Sequence, residues 1–129
     1  MKILLVDDGV DTLELLDSFL TTQGHTVVTA TNGEEALKKA MREMPDLMLL
    51  DVCLPDIDGL AVLKKIKEVD PDLPVVMITA YRDAEKVVES FRLGAVDCLL
   101  KPFNFDYVTS HILSWKRGAN SSNKKLEKE

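Results

Sequence analysis

The sequence predicts an α/β fold in which five strands form one parallel sheet with helices on both faces. Short apolar runs alternate along the chain with segments of helical period, which is typical of successive βα units joined by right-handed crossovers. The apolar runs are solid rather than alternating, as expected for strands buried on both faces of a parallel sheet. Four of these runs end in polar residues: Asp7-Asp8, Asp51, Thr79 and Lys101-Pro102.

Length and composition favour one globular domain. The chain has 129 residues, of which 46% are hydrophobic, enough for an ordinary core. Its formal net charge of -6 argues against sequence-independent nucleic-acid binding through a basic face. There is no signal-peptide pattern and no run long enough to cross a bilayer, so we expect a cytoplasmic protein without a membrane partner. Cys53 and Cys98 fit a reducing compartment and lack the spacing of a zinc site.

The first half of the chain predicts two strands and two helices. A strand at residues 3–6 precedes a helix within residues 11–23, which Gly24 closes. We expect the inner stripe of that helix to consist of Val10, Leu13, Leu16 and Leu20. A strand at residues 25–30 follows, and Thr31-Asn32-Gly33-Glu34 has the form of a capping box that starts the second helix. We expect the second helix to bury Ala36, Leu37, Ala40 and Met41.

The second half of the chain predicts three more βα units. The third strand lies at residues 47–50 and is followed by a helix at 59–69, with Leu60, Leu63 and Ile66 inward. A turn at residues 70–74 leads into the fourth strand, and the helix at 83–93 ends at Gly94. The fifth strand lies at residues 96–100, and a helix from about Asn104 carries Phe105, Val108, Ile112 and Trp115. Residues 1–117 form the predicted domain, and the polar residues 118–129 form a flexible tail or a truncated linker.

The polar residues at the strand ends predict a phosphoryl site. The carboxyl ends of parallel strands share one edge of the sheet, where ligands bind, so Asp7, Asp8, Asp51, Thr79 and Lys101 should converge. Three clustered carboxylates suit a hard octahedral ion such as Mg²⁺. A carboxylate can also be the nucleophile that forms an acyl phosphate, and Asp51 is the best candidate because a long loop follows it. Thr79 offers a hydroxyl and Lys101 a charge to the phosphoryl oxygens.

Each of these residues also has a purely structural explanation. Aspartates at strand ends often cap helices or form turns. A threonine at the end of a buried strand is commonly explained by β-propensity. The prediction of a phosphoryl site therefore depends on the whole set meeting at one edge of the sheet.

From about Lys2 to Trp115 the chain resembles the receiver domains of bacterial two-component response regulators. The resemblance is specific because seven motifs occur together in the family's order. They are Leu4-Leu5-Val6-Asp7-Asp8, Asn32-Gly33-Glu34-Glu35-Ala36-Leu37, Pro45-Asp46-Leu47-Met48-Leu49-Leu50-Asp51, Leu54-Pro55-Asp56-Ile57-Asp58-Gly59, Pro74 to Ala80, Leu93-Gly94-Ala95 and Lys101-Pro102-Phe103.

The resemblance implies a fold and a set of roles. It implies a doubly wound, flavodoxin-like sheet of order 2-1-3-4-5, with the site at the switch between strands one and three. Asp51 would accept a phosphoryl group from a histidine kinase. Asp7, Asp8 and Asp51 would hold Mg²⁺, or Mn²⁺ in its place, with the backbone carbonyl of Cys53 as a further ligand.

The resemblance also implies a switch, and this chain departs from the family there. Thr79 would bind the phosphoryl group and move inward, Lys101 would pair with the same group, and the Lys101-Pro102 peptide would be cis. The family usually has an aromatic residue three positions before the lysine, whereas this chain has Cys98. Either backbone movement around residues 80–83 carries the output, or Tyr81 or another ring replaces the missing aromatic residue.

The implied output face comprises the fourth helix, the fifth strand and the fifth helix. It would act on a downstream partner or an attached output domain, and it could support a phosphorylation-dependent homodimer. The chain is either a free-standing regulator or the receiver piece of a longer one. It has neither a helix-turn-helix nor a Walker loop, so we expect no direct nucleic-acid binding and no ATP hydrolysis. In this chain the face includes Glu85, Lys86, Glu89, Arg92, Asp97 and residues of Asn104 to Trp115.

Two other functions fit the sequence less well. A phosphohydrolase with an aspartyl-phosphate intermediate needs a second acid two residues after the nucleophile, but those positions hold Gly9 and Cys53. A flavodoxin-like electron carrier needs a hydroxyl- and glycine-rich loop after the first strand, where Asp7-Asp8 would repel the flavin phosphate. We therefore expect a signalling domain that catalyses only its own phosphorylation and dephosphorylation, not an enzyme with another substrate.

Overall fold

The computed structural model describes residues 1–115 and 117, apart from the side chain of Tyr81. Five parallel strands form one sheet in the order β2-β1-β3-β4-β5, which confirms the predicted doubly wound fold. The strands are β1 (Lys2–Val6), β2 (Thr26–Ala30), β3 (Leu47–Asp51), β4 (Val75–Thr79) and β5 (Asp97–Leu100). The helices are α1 (Val10–Thr22), α2 (Gly33–Glu43), α3 (Gly59–Val69), α4 (Ala84–Arg92) and α5 (Phe105–Ser110).

The sheet separates two hydrophobic clusters. Leu4 and Val6 of β1 point to the side that α2 and α3 cover, whereas Ile3 and Leu5 point to the side of α1 and α5. Alternate strand residues are therefore buried on opposite faces, which explains why the central strands read as solid apolar runs. β5 is an edge strand, and its last residue, Leu100, is 41% exposed, so the prediction of burial on both faces fails there.

Two helix residues expected in the core are exposed. Val10 is 62% exposed because it is the first residue of α1, at the sheet edge, before the helix packs onto the sheet. Met41 is 56% exposed because the buried residues of α2 form a narrow stripe, Gly33, Ala36 and Ala40. Leu37 is only half-buried beside this stripe, and Met41, one turn further on, faces away from the sheet.

Two other local predictions differ from the structure. The N-cap of α2 is Asn32, whose side chain accepts a hydrogen bond from Glu35 N, while Glu35 Oε1 accepts one from Thr31 N. The reciprocal cap therefore lies one residue later than the predicted capping box. The fifth helix ends early, at Ser110, whose hydroxyl bonds the backbone oxygen of Asp106 and competes with helical pairing. Trp115 lies beyond the short 3₁₀ turn at Ile112–Ser114 that follows α5.

The ends of two other helices follow the sequence prediction. Gly24 and Gly94 have φ angles of 92° and 106°, the left-handed backbone that closes α1 and α4. A 3₁₀ turn at Tyr81–Asp83 precedes α4, which starts one residue later than predicted. The predicted tail, residues 118–129, lies outside the described residues. Among those that the structure describes, no helix has both the length and the apolar character that a bilayer span requires.

Candidate functional site

Four strands deliver the predicted site residues to the carboxyl edge of the sheet. Asp7 follows β1, Asp51 ends β3, Thr79 ends β4 and Lys101 follows β5. Carboxylate oxygens of Asp7, Asp8 and Asp51 all lie within 4.8 Å of one another. Asp7 is 1% exposed and Asp51 6% exposed, whereas Asp8 faces solvent. The topology therefore brings together residues that are far apart in the sequence.

Backbone hydrogen bonds fix the orientation of the two buried carboxylates. Asp7 Oδ1 accepts a hydrogen bond of 2.8 Å from Gly9 N, and Asp51 Oδ1 accepts one of 3.0 Å from Cys53 N. Lys101 Nζ approaches the other oxygen of each carboxylate, at 3.0 Å from Asp7 Oδ2 and 3.8 Å from Asp51 Oδ2. One ammonium thus faces two buried negative charges.

The site holds more negative charge than one lysine neutralises. Burial raises the pKa of Asp51 from 3.8 to about 6, and the charge of Asp7 adds to this effect. The Cys53 N–H and Lys101 act in the opposite direction. Burial disfavours the charged form of Lys101, but its contact with Asp7 and the charges of Asp7 and Asp51 together raise its pKa. At neutral pH, Asp51 is therefore ionised and Lys101 is protonated.

The donor set fits a divalent cation. Asp7 Oδ2 is buried, and its near partner among the described residues is the Lys101 ammonium, 3.0 Å away. An oxygen with free lone pairs, beside two further carboxylates, is what a hard ion such as Mg²⁺ binds. Asp7, Asp8 and Asp51 could thus hold Mg²⁺, or Mn²⁺, which takes the same oxygen ligands.

Thr79 and Lys101 lie at the adjacent ends of β4 and β5. The Thr79 hydroxyl is buried and donates to the Ala80 backbone oxygen at 3.1 Å. Lys101 N donates to the Thr79 backbone oxygen at 2.8 Å, so the ends of β4 and β5 are joined here. The Lys101–Pro102 peptide is cis, as predicted. Cys98, at the position of the family's aromatic residue, is a half-buried residue of β5, and the Tyr81 side chain lies outside what the structure describes.

Sequence reasoning missed contacts made by the loop between Asp51 and α3. Asp56 accepts hydrogen bonds from Gly33 N and Glu34 N, at 2.7 and 3.0 Å, across 23 and 22 residues. Cys53 Sγ lies 3.7 Å from Asp83 Oδ1 and 3.8 Å from Lys86 Nζ. An acidic residue in a predicted loop is an ordinary turn former, so nothing in the local pattern indicated these partners.

Comparison with known proteins identifies the family. The model of the response regulator receiver domain matches residues 3–113. The alkaline phosphatase synthesis transcriptional regulatory protein PhoP of Bacillus subtilis is 45% identical over 111 residues, which are 86% of this chain and 46% of that protein. The transcriptional regulatory protein ZraR of Escherichia coli is 40% identical over 106 residues, 82% of this chain and 24% of that protein.

A solved structure agrees with these matches. The crystal structure of the receiver domain of NtrX from Brucella abortus superposes with a TM-score of 0.80 at 40% identity, covering 87% of this chain and 92% of that one. The chain spans less than half the length of PhoP and about a quarter of ZraR. By sequence and by fold, the chain belongs to the receiver domain family of two-component response regulators.

Proposed function

We propose that this domain is a phosphorylation-controlled switch in which Asp51 accepts a phosphoryl group from a histidine kinase. The observation that carries the proposal is the position of Asp51, a buried carboxylate between two other aspartates and Lys101. Its pKa of about 6 leaves it ionised at neutral pH. An ionised carboxylate is the form that attacks phosphorus.

Asp7, Asp8 and Asp51, with the backbone carbonyl of Cys53, are the proposed ligands of Mg²⁺. The bound ion would neutralise charge on the phosphoryl oxygens and on the carboxylates, which otherwise repel the donor. The support for this assignment is the cluster of three carboxylates, in which the buried Asp7 and Asp51 have one lysine between them. Mn²⁺ would substitute because it prefers the same oxygen donors.

In the proposed reaction, the phosphoryl group moves from a histidine nitrogen to an Asp51 carboxylate oxygen. An Asp51 carboxylate oxygen attacks phosphorus of the phosphohistidine, a new O–P bond forms, and the P–N bond breaks with its electron pair returning to the imidazole. Lys101 Nζ pairs with a phosphoryl oxygen of the resulting acyl phosphate. Thr79 donates its hydroxyl hydrogen to another phosphoryl oxygen, for which it gives up its 3.1 Å bond to the Ala80 carbonyl.

Phosphorylation of Asp51 would change the face formed by α4, β5 and α5, and this face would control a partner. Within this face, β5, the loop after it and the start of α5 line a groove of about 490 Å³, which Lys101 connects to the proposed phosphorylation site. We propose that the groove face binds a downstream protein, an attached output domain or a second copy of the chain when Asp51 is phosphorylated. The groove is lined by Cys98, Leu99, Leu100, Lys101, Pro102, Asn104 and Tyr107.

The relatives suggest where DNA binding would occur. PhoP and ZraR are named as transcriptional regulatory proteins, and this chain matches only part of each. In our proposal, nucleic-acid contacts belong to such an output domain and not to this acidic chain, and the signalling takes place in the cytoplasm. The domain would act only on its own aspartate, because Cys53 occupies the position where a phosphohydrolase carries its second acid.

Intact mass spectrometry tests the proposal. The purified protein is incubated with Mg²⁺ and a small acyl-phosphate donor, beside Asp51→Asn and beside a sample with EDTA. We expect the wild type alone, and only with Mg²⁺, to gain one phosphoryl group. Equal modification of both proteins would show that Asp51 is not the acceptor. If neither is modified, even by a panel of histidine kinases, the switch function is wrong.

A further inference from the structure

Asp56 is the polar link between the loop after Asp51 and the N-terminus of α2. The loop, residues 52–58, is held at its ends by Val52 N, which bonds the Ile78 carbonyl, and by Gly59 N, which bonds the Val52 carbonyl, both at 3.0 Å. Its middle is exposed at Asp56, whose two carboxylate oxygens accept from Gly33 N and Glu34 N. The link therefore restrains the part of the loop that the strand and helix ends do not hold.

The N-terminus of α2 offers hydrogen-bond donors that match the Asp56 carboxylate. The first N–H groups of a helix have no partner inside it, and they carry partial positive charge. The cap of α2, Asn32, satisfies Glu35 N through its side chain. The N–H groups of Gly33 and Glu34 precede it and receive their acceptors from Asp56, so an ionised carboxylate of the site loop completes the helix end.

Gly33 allows the close approach that these hydrogen bonds need. A Cβ atom at this position would lie 3.0 Å from Ile57 Cβ, 3.0 Å from Val62 Cγ2 and 3.3 Å from Asp56 Oδ1. Ile57 is packed against the core at the same place. A Cβ atom at position 33 would therefore require these neighbours to shift by a few tenths of an ångström, at the contact between α2 and the loop.

We infer that Asp56 is a positioning residue for the metal site: by binding the N-terminus of α2, it fixes the loop whose Cys53 carbonyl is a proposed Mg²⁺ ligand. The inference rests on the proposed metal site. Cys53 lies three residues from Asp56, and its N–H holds Asp51 Oδ1 at 3.0 Å. Movement of the loop would therefore disturb a neutral ligand and the orientation of an acidic ligand together.

Calorimetric titration of the unphosphorylated protein with Mg²⁺ tests the inference without relying on phosphoryl transfer. Loss of groups that orient metal ligands typically weakens binding about 10–100-fold, and Asp56 acts through the backbone, so we expect Asp56→Ala to raise the dissociation constant about 3–10-fold. Glu34→Gln is the matched control. It removes an equal charge at the N-terminus of α2 but keeps both hydrogen bonds from the backbone to Asp56. Its dissociation constant should stay within about 2-fold of wild type.

Gly33→Ala disturbs the same contact while keeping Asp56. It should weaken Mg²⁺ binding in the same direction, and the double variant Gly33→Ala/Asp56→Ala should lose less than the product of the two single effects, because both act on one contact. Urea denaturation in EDTA measures how far each variant is destabilised. A merely structural role of Asp56 would lower stability and leave the Mg²⁺ dissociation constant of the folded protein unchanged.

The outcomes separate this inference from the proposed function. If Mg²⁺ binds wild type and Asp56→Ala equally, or if Glu34→Gln weakens binding as much, Asp56 is not a positioning residue. If wild type binds no Mg²⁺ at millimolar concentration, the metal site and this inference are both wrong. If Mg²⁺ binds as expected but Asp51 is never phosphorylated, the switch function fails and the role of Asp56 stands.

Discussion

In the metal-free domain, burial disfavours the negative charge of Asp51. The pKa of this carboxyl is therefore raised from 3.8 to about 6. Between these two values the folded protein binds more protons at Asp51 than the unfolded chain does. The free energy of unfolding therefore falls as the pH rises through that window, and above it the ionised group keeps the folded state destabilised.

Asp51→Asn should therefore stabilise the protein at neutral pH in EDTA, by about 1–2 kcal/mol. The gain should disappear as the pH falls below about 4, where Asp51 is protonated in both states. Urea denaturation at several pH values measures it. A variant that is less stable than wild type at neutral pH without metal would contradict the pKa assignment.

Lys101 is the cation that compensates the two buried carboxylates. Its Nζ lies 3.0 Å from Asp7 Oδ2 and 3.8 Å from Asp51 Oδ2, with the side chain 33% exposed. Lys101→Ala should lower the free energy of unfolding at neutral pH by about 1–2 kcal/mol, because it leaves unpaired charge in a partly screened site. The loss should be smaller with saturating Mg²⁺, and smaller again near pH 5, where Asp51 gains a proton. If Lys101→Ala lowers the free energy of unfolding equally at neutral pH, with saturating Mg²⁺ and near pH 5, Lys101 has a packing role only.

At the scale of elements, α3 begins directly behind the proposed phosphorylation site. A Cβ atom on Gly59 would overlap the Asp51 carbonyl oxygen and lie 2.5 Å from the Val52 carbonyl oxygen. Backbone atoms cannot move away as a flexible side chain can, so Gly59→Ala should destabilise the protein by about 3 kcal/mol or more. Chemical denaturation measures the loss of stability. The control is Ala61→Gly, at an exposed position of the same helix, which should lower the free energy of unfolding by about 1 kcal/mol. A loss for Gly59→Ala no greater than the control would show that the loop relaxes freely.

The strands and the site edge were predictable because their signals are local. A solid apolar run with an acid at its end indicates a buried parallel strand and a site residue, and parallel topology alone brings Asp7 and Asp51 together. Burial within helices was less predictable. Val10 fits the helical period but lies at the start of α1, before the helix packs onto the sheet, and Met41 lies outside the narrow buried stripe of α2. The shift of the α2 cap to Asn32 reflects two adjacent residues that can both act as caps.

At the scale of the whole molecule, the contacts that sequence reasoning missed join distant segments. Asp56 reaches α2 across more than 20 residues, and Arg117 reaches Asp70 across 47. Neither pair follows a helical or strand period, and each charged residue alone is typical of a solvated surface. Such pairs follow from the packing of complete elements against one another, which a periodic pattern does not specify.

Arg117 fixes the chain after α5 to the amino-terminal edge of the sheet, opposite the proposed phosphorylation site. Its guanidinium donates to both oxygens of Asp70, at 2.7 and 2.6 Å, and to the Pro45 carbonyl at 2.9 Å. Asp70 and Pro45 lie in the connections that precede β4 and β3. Just before Arg117, Trp115 Nε1 donates to Asp97 Oδ2 of β5 at 3.2 Å. The domain therefore extends structurally beyond residue 113, where the family match ends.

Arg117→Ala should lower the free energy of unfolding at neutral pH by about 1–2 kcal/mol, because a bidentate, partly buried pair is stronger than a surface pair. Arg92→Ala is the control: the Arg92 side chain is 74% exposed beside Glu89, and the loss in free energy of unfolding should stay below about 0.5 kcal/mol.

Hydrogen bonds from Arg117 lower the pKa of Asp70 below 3.8. The stabilisation should therefore be complete above that value and disappear as the pH falls through the lowered pKa. Equal losses for the two variants at neutral pH would mean that residue 117 is not part of the folded domain.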